Sequence, residues 1–354
     1  MTTQGFFGVS VLTLNEIVVH GGDARDLATY LVLANHTNGR GDRQHMDSTA
    51  GAKAVKAKAG LTYRVAGTSL AWLEDHGFIS PYQGGKGSKA GYKGEVRWSL
   101  VKPNSSDVAY LSHSLIDGIG AGKNNPPLKR IREQVHKGCC KNVKEASTDA
   151  LLLLIHCYQE HLLQDFGGIN IHVLRKEWAE VESREFMEDL GYLVMEISGG
   201  NPVASQPWIE KVLAHVPDGE LDDRFRAALK SLEKLGLLYE VLEVWEDNPL
   251  ENDRAELFYP LYVCDYHARE SEPYCLKDTH RFLERNGHWD GMIMMQTIDE
   301  VIGTNQFRLI RLKSDKQCVI GTYRLRFKPN TEDVAKWIGQ ENKRAEAWRE
   351  QLLQ

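Results

Sequence analysis

The chain has 354 residues, of which 42% are hydrophobic and 26% charged, the composition of a soluble globular protein with two or three domains. Its longest purely apolar run, residues 150–155, is too short to cross a membrane, and no basic segment precedes the apolar residues at the amino terminus. Neither a membrane span nor a signal peptide is therefore predicted. Six cysteines without regular spacing predict reduced thiols and a cytoplasmic location.

The net charge of −6 is the sum of two very different halves. Residues 1–146 hold 19 Lys and Arg against 12 Asp and Glu, a net of +7, whereas residues 147–354 hold the remaining 24 against 37, a net of −13. This split favours different partners for the two halves, and two merely solvated surfaces are the alternative.

The first 100 residues carry the signals of three helices and two late strands. Residues 9–19 are predicted to form a strand or an extended entry segment, after which Asp23 caps a helix. A polar loop over 35–48 is followed by an alanine-rich helix over 51–59 and a turn at Gly60. Thr62 is predicted to cap the next helix, which ends at Gly77. Residues 78–79 and 96–100 then read as strands on either side of a long Gly/Lys loop, residues 81–94.

Residues 24–100 resemble the bacterial winged helix-turn-helix superfamily. The alanine-rich helix, the Gly60-Leu61-Thr62 turn and a Leu-x-x-Leu-Glu-x-x-Gly ending at Gly77 follow one another in register. The same ending recurs 159 residues later, at Gly236, which predicts a second winged helix. Such a tandem is similar in layout to plasmid replication initiators. The resemblance implies a DNA-binding fold.

Between and beyond the two repeats, the elements are predicted as follows. A short basic helix lies at 128–136, Asp149 caps a leucine-rich helix over 150–163, and further helices cover 178–190 and 207–215. Asp222 or Asp223 caps the second recognition helix, and strands at 237–245 and 257–263 flank its wing. A helix near 277–285, a hairpin of 307–312 with 318–327, and a terminal helix capped by Thr331 complete the chain.

The predicted fold is α+β and mainly helical, with two winged-helix domains and a C-terminal α+β extension. The first winged helix covers residues 1–100 and a linker covers 101–146. The second winged helix covers 147–265 and the extension 266–354.

The first winged helix carries the side chains that contact with DNA requires. Its wing is rich in lysine, and the outer N-terminal part of its third helix is the end that enters the major groove in helix-turn-helix docking. A solubilising basic loop on a protein-binding domain is the alternative. The residues predicted to bind double-stranded DNA are Lys53, Lys56, Lys58, Tyr63, Arg64, Thr68, Lys86, Lys89, Lys93 and Arg97.

The second winged helix has different chemistry. Its wing, residues 246–256, contains five acidic residues and one arginine, which a phosphate backbone would repel. Arg224, Arg226 and Lys230 on its helix can still reach DNA, but a homodimer or another protein partner, bound through the acidic half, is favoured. The Arg/Lys-rich hairpin at 307–327 is a further possible nucleic-acid surface, although the alternation fits a one-sided sheet better.

No catalytic, cofactor or metal site is predicted. Residues 118–124 resemble a phosphate loop, but Asp117 stands where that loop needs glycine and Asn124 where it needs serine or threonine. Zinc ligation by Cys264, His267, Cys275 and His280 is an open alternative, although their spacing fits no common zinc module.

The sequence thus predicts a non-enzymatic, sequence-specific DNA-binding protein. It would serve as a transcriptional regulator or as a replication-initiator-like protein of a plasmid or other mobile element. The alternative is a winged-helix interaction subunit of a larger chromosome-organising or defence complex, with the acidic rear as its docking face.

Overall fold

A computed structural model describes most of the chain as an α+β fold. The described residues are 5–37, 45–82, 97–104, 106–118, 125–161, 168–187, 192–245, 247–252, 255, 257–261, 293–299, 304–310 and 318–327. Two compact units divide the chain. The first comprises Met1–His161, Gln206–Leu238 and Leu325–Val334, and the second Leu162–Ser205, Tyr239–Arg324 and Ala335–Gln354. The domain boundaries at 100, 146 and 265 stay predictions.

The first unit begins with a short strand and a helix instead of the predicted strand over 9–19. Strand β1, Phe6–Ser10, pairs antiparallel with β5, Val108–Ser112, and helix α1 covers Val11–Val19. The β-branched composition of α1 favours a strand locally. Ser10 is the N-cap of this helix, its hydroxyl accepting from the Thr13 amide at 3.0 Å, and distant Asp107 accepts from the Leu12 amide at 2.8 Å, so two free amides of the first turn are satisfied.

The next elements follow the predicted order, with one added strand. Helix α2 is Ala24–Asn35, strand β2 His45–Ser48, helix α3 Ala52–Ala59, helix α4 Tyr63–Asp75, strand β3 Ile79–Pro81 and strand β4 Trp98–Val101. Asp23 caps α2 as predicted, in a capping box with Asp26. Strands β2, β4 and β3, in that order, form an antiparallel sheet. The predicted loop over 35–48 therefore ends in a strand.

Helices make up the rest of the first unit's described core. They are α5 (His113–Asp117), α6 (Pro127–Gln134), α7 (Val143–Gln159), α8 (Gln206–Val212) and α9 (Leu221–Lys234). Helix α7 packs against α1, α2, α6, α8 and α9, and its residues from Ala146 to Tyr158 are all buried. Two predicted caps were wrong, because Asn142 caps α7 and Glu220 occupies the N-cap of α9.

The second unit is built on a seven-stranded sheet. Its strands are β6 (Leu174–Met187), β7 (Tyr192–Ala204), β8 (Leu238–Trp245), β9 (Leu257–Leu261), β10 (Ile293–Asp299), β11 (Thr304–Ile310) and β12 (Cys318–Leu325). Their order in the sheet is β10-β11-β7-β6-β12-β8-β9. Strands β8 and β9 were predicted, and they pair antiparallel.

Two predictions in this unit were wrong. The helix predicted over 178–190 is a strand as far as Met187, and its register shifts near Ala179 and Val181 break the alternation that marks a strand in sequence. The predicted hairpin over 307–327 is also absent, because β7 and β6 lie between β11 and β12. The predicted helices at 277–285 and after Thr331 lie outside the described residues.

Candidate nucleic-acid interface

Local sequence signals set the orientation of helix α4. Gly60 ends α3 with a φ of 66°, which glycine adopts without strain. Leu61, 5% exposed, anchors the turn in the core, and the Thr62 hydroxyl accepts a hydrogen bond from the Val65 amide at 3.3 Å. Ala66, Leu70 and Leu73 on α4 are buried. Because of helical periodicity, the opposite face of α4, including its N-terminal end, is exposed to solvent.

The exposed face of α4 carries three of the predicted DNA-binding residues. Tyr63 is 64% exposed, and Arg64 and Thr68 are exposed as well. The Thr68 hydroxyl donates to the Arg64 carbonyl at 3.1 Å, which fixes its rotamer. Gly67 lies between them, and a Cβ built there meets nothing within 4 Å. This end of α4 is therefore open to close approach by a large ligand.

The three predicted lysines of α3 occupy two different environments. Lys53 and Lys56 are exposed, and no carboxylate within the described ranges pairs with them or with Arg64. Lys58 is half-buried, and its ammonium pairs with the Asp117 carboxylate of α5 at 2.8 Å. Lys53 and Lys56 are thus available to a ligand, whereas Lys58 is engaged within the protein.

Arg97 lies at the N-terminus of α3. Its backbone extends the sheet, since its amide donates to the Ser48 carbonyl at 2.8 Å and its carbonyl accepts from the Tyr82 amide at 3.0 Å. A Cβ built on Gly51, the N-cap of α3, would lie 2.8 Å from Arg97 Nη1. The exposed guanidinium therefore lies over the first turn of α3, beside Gly51, which precedes Lys53 by two residues. Lys86, Lys89 and Lys93 lie outside the described residues.

Helix α6, predicted as part of a linker, packs on the turn that precedes α4. Arg132 donates from Nε to the Ala59 carbonyl at 2.8 Å and from Nη2 to the Gly60 carbonyl at 2.6 Å. These bonds satisfy carbonyls at the end of α3. A Cβ built on Gly60 would lie 2.7 Å from Lys129 Cγ, so the Lys129 side chain lies beside this turn. Residue spacing in the sequence did not predict this position of Lys129.

A comparison of the chain with protein families, curated proteins and solved structures finds no match. The structure itself adds two negative findings for the part of the chain that it describes. No helix there is both long and apolar enough to span a membrane. No group of three or more His, Cys, Asp or Glu residues there is arranged to hold a metal ion. Cys264, His267, Cys275 and His280 lie outside that part.

Arg224 is not available to DNA, contrary to the sequence prediction. It is 7% exposed and makes two hydrogen bonds to Asp149, Nε to Oδ2 at 2.7 Å and Nη2 to Oδ1 at 2.8 Å. His215 Nε2 lies 3.0 Å from Asp149 Oδ1, and Cys140 Sγ lies 3.5 Å from Oδ2. Asp149, predicted as a helix cap, is instead a fully buried acceptor that joins α7 to α9. Arg226 and Lys230 of α9 remain exposed.

The charge state of this cluster follows from its contacts. Burial raises the pKa of Asp149, but the hydrogen bonds from His215 and Arg224 and the charge of Arg224 outweigh burial, so the pKa lies below its usual value. Burial and the Asp149 charge raise the pKa of the Cys140 thiol to about 12. A thiol with that pKa stays protonated at neutral pH and is a poor nucleophile. The cluster is therefore a structural ion pair.

Proposed function

We propose that the chain is a sequence-specific double-stranded DNA-binding protein whose residues 24–100 form a winged helix. The observation that carries this proposal is the open N-terminal end of α4. There Tyr63, Arg64 and Thr68 are exposed around Gly67, and the preceding helix α3 adds exposed Lys53 and Lys56, which pair with no carboxylate among the described residues. Within this proposal the protein is non-enzymatic and acts as a transcriptional regulator or replication-initiator-like protein.

The order of elements supports the winged-helix assignment. Helix α2, strand β2, helices α3 and α4, and strands β3 and β4 follow in the sequence, and the sheet order is β2-β4-β3. The connection between β3 and β4 holds Lys86, Lys89 and Lys93, the position of a wing. In helix-turn-helix docking, the N-terminal residues of the second helix of the motif contact base edges, which gives α4 that role.

The chemistry of each side chain suggests its share of the contact. Arg64 presents a planar guanidinium that can bind guanine O6 and N7 in the major groove. Tyr63 can donate to a phosphate, and the methyl group of Thr68, whose hydroxyl already donates to the Arg64 carbonyl, can contact a thymine methyl group. Lys53 and Arg97, at the first turn of α3, would neutralise phosphates of the flanking backbone, and Lys56 would add a further phosphate contact. Specificity thus comes from α4, and affinity mainly from the cations around it.

The acidic half of the chain is expected to bind a partner other than DNA. Residues 147–354 carry a net charge of −13, from 24 basic and 37 acidic residues, which disfavours a second phosphate surface. Within the proposal, this half mediates dimerisation or binds another protein. The second winged helix remains a prediction, because β8 and β9 belong to a seven-stranded sheet, unlike the three-stranded sheet of β2, β4 and β3.

Removing the exposed cations of α3 and α4 tests the proposal. The variant K53A/K56A/R64A should bind duplex DNA about two orders of magnitude more weakly at 0.1 M salt. Its plot of log affinity against log salt should flatten by about 2, since the lost phosphate contacts of Lys53 and Lys56 remove about 0.9 each. Fluorescence anisotropy with a labelled random duplex, from 0.05 to 0.4 M salt, measures both quantities.

A matched variant separates this surface from net charge. Lys102, Lys137 and Lys141 are exposed cations of the same unit, and K102A/K137A/K141A changes the charge equally. It should keep the slope of the unaltered protein. Equal losses in both variants would mean that binding follows net charge, and the assignment to α3 and α4 would then be wrong.

The wing makes a second, separable prediction. Replacing Lys86, Lys89 and Lys93 together with alanine should reduce the salt slope by about 2 to 3 while keeping the sequence preference, because phosphate contacts carry little sequence information. Competition between a selected site and random duplex reports the preference. A slope that does not change, or absence of duplex binding by the unaltered protein at low salt, would contradict a DNA-binding wing.

A further inference from the structure

The charge of the chain follows its two compact units more closely than its two sequence halves. The first unit carries 26 Lys and Arg against 22 Asp and Glu, a net charge of +4, and the second carries 17 against 27, a net of −10. Helix α9, Leu221–Lys234, lies in the acidic half of the sequence, but it belongs to the basic first unit. Its exposed cations are therefore part of the same unit as helices α3 and α4.

Four cations from three segments of the first unit meet at the C-terminal end of α9. Lys230 and Lys234 are exposed on α9 and lie about one helical turn apart. Arg130 of α6 donates from Nη1 to the carbonyl of Leu235, the residue that follows Lys234, at 2.9 Å. Arg326, which follows β12, is the fourth cation. These four residues are called the α6–α9 cluster below.

The two arginines of the α6–α9 cluster lie close to each other. The Arg326 amide donates to the Leu237 carbonyl at 3.0 Å, two residues beyond the carbonyl that accepts from Arg130. Burial and the positive charge of Arg326 lower the pKa of the Arg130 guanidinium. Both residues are half-buried, so part of each remains open to solvent. Like charges at this separation repel each other, and an anion bound beside them relieves the repulsion.

The positive charge of the α6–α9 cluster is not compensated by nearby carboxylates. No Asp or Glu of the described ranges forms an ion pair with any of its four members. Glu133 of α6 pairs with Arg132 at 2.6 Å, and half-buried Glu233 has a contact outside the cluster. The C-terminal dipole of α9 is equivalent to about half a negative charge, which balances at most one cation. Most of the positive charge is therefore available to an external anion.

Helix α6 connects the α6–α9 cluster with the turn that precedes α4. Arg132 donates to the carbonyls of Ala59 and Gly60, whereas Arg130, two residues earlier, donates to that of Leu235. Because helical residues rise by about 1.5 Å each, the cluster lies within roughly 20 Å of the turn. One turn of B-DNA spans about 34 to 36 Å, so a duplex that contacts α4 is long enough to reach the cluster.

We propose that the α6–α9 cluster binds the phosphate backbone of the duplex on one side of the site contacted by α4. This inference rests on the proposed DNA-binding function and extends its footprint beyond the winged helix. Phosphate contacts of Lys and Arg carry little sequence information, and each contact releases condensed counterions. The cluster therefore adds affinity without sequence preference, and only when the duplex continues past the α4 site.

Two duplexes test this extension with the full-length protein. The short duplex holds a selected binding sequence within about 12 base pairs, slightly more than one helical turn, and the long duplex adds about 12 base pairs of random sequence on each side. The variant K230A/K234A should bind the long duplex about tenfold more weakly at 0.1 M salt. Its salt slope on that duplex should fall by about 2, since each lost phosphate contact removes about 0.9. Fluorescence anisotropy should show no change on the short duplex.

A matched variant controls for net charge. Lys102 and Lys141 are exposed cations of the same unit, and K102A/K141A removes as much charge as K230A/K234A. It should keep the salt slopes of the unaltered protein on both duplexes. Arg130 is left unaltered, because its bond to the Leu235 carbonyl contributes to the fold.

Hydroxyl-radical footprinting on the long duplex locates the contact. Protection by the unaltered protein should continue past the selected sequence on one side, by up to one helical turn of about ten base pairs. K230A/K234A should lose that extension and keep the protection over the selected sequence.

Three outcomes would overturn the extended footprint. Equal salt slopes of the unaltered protein on the two duplexes, or equal losses in K230A/K234A and K102A/K141A, would do so while leaving contact with α4 intact. A weaker self-association of K230A/K234A in sedimentation, with unchanged DNA binding, would instead assign the cluster to the acidic unit of a second copy. Absence of binding to either duplex by the unaltered protein would contradict the proposed function, and the extension with it.

Discussion

Replacing Asp149 with asparagine is expected to lower the free energy of unfolding by about 3 to 5 kcal/mol, the usual cost of leaving one partner of a buried ion pair uncompensated. The Asp149 side chain accepts two hydrogen bonds from Arg224, and both residues are buried. Asparagine keeps the shape and one acceptor, but it cannot balance the guanidinium charge. Urea unfolding, followed by circular dichroism and tryptophan fluorescence, measures the change.

A double-mutant cycle tests whether the ion pair accounts for this loss. Arg224→Met alone should also be strongly destabilising, because it leaves the carboxylate without its main partner. The combination D149L/R224M should cost much less than the two single changes added together, since it leaves neither charge buried. Asp75→Asn, at an exposed site on α4, should stay within about 0.5 kcal/mol of the unaltered protein. Additive single effects of less than about 1 kcal/mol would refute the coupling.

The role of Asp149 could not be predicted from the sequence. An aspartate before a run of alanine and leucine is a normal helix-start signal, and the true cap, Asn142, lies seven residues earlier. What distinguishes the two positions is Arg224, which is 75 residues away and packs against α7 from α9. Partners at such separations leave no periodic or local signal. The capping residue was therefore misassigned, whereas the helix itself was predicted.

The α3–α4 region was predictable because its signals are local. The ends of the two helices are marked, within eighteen residues, by Gly60, Thr62 and Gly77. Each of these residues has the predicted conformation or capping contact. The same locality identified the exposed face of α4 from its spacing. It did not reveal that Asp117 pairs with Lys58, nor that Lys129 lies beside Gly60, because α5 and α6 contact α3 only through the tertiary fold.

The second unit was less predictable because sheet topology is non-local. Strands β8, β9, β11 and β12 are recognisable from their composition, but only pairing places β7 and β6 between β11 and β12. The glutamate-rich residues of β6 favour a helix by propensity, and pairing with β7 overrides that preference.

Because of His156, the free energy of unfolding is expected to fall already below pH 6.5, above the pH at which carboxylates titrate. The side chain is fully buried in α7, and burial together with the positive charge of Lys211 lowers its pKa from 6.5 to about 3. The unfolded chain binds this proton more tightly than the folded chain. The contribution of the neutral ring to stability is therefore complete above pH 6.5 and is lost progressively as the pH falls towards 3, by about 1.4 kcal/mol per pH unit.

His156→Gln isolates this contribution, because glutamine is neutral at every pH and can still donate to Asn15 Oδ1, which lies 3.2 Å from His156 Nε2. The unfolding free energy of the unaltered protein, relative to H156Q, should fall by about 3 kcal/mol between pH 7 and pH 4. Carboxylates such as Asp149 contribute to both proteins and cancel in the difference. His20→Gln makes the same change at an exposed site and serves as the control. Parallel stability curves for H156Q and the unaltered protein would show that His156 is not held neutral by the fold.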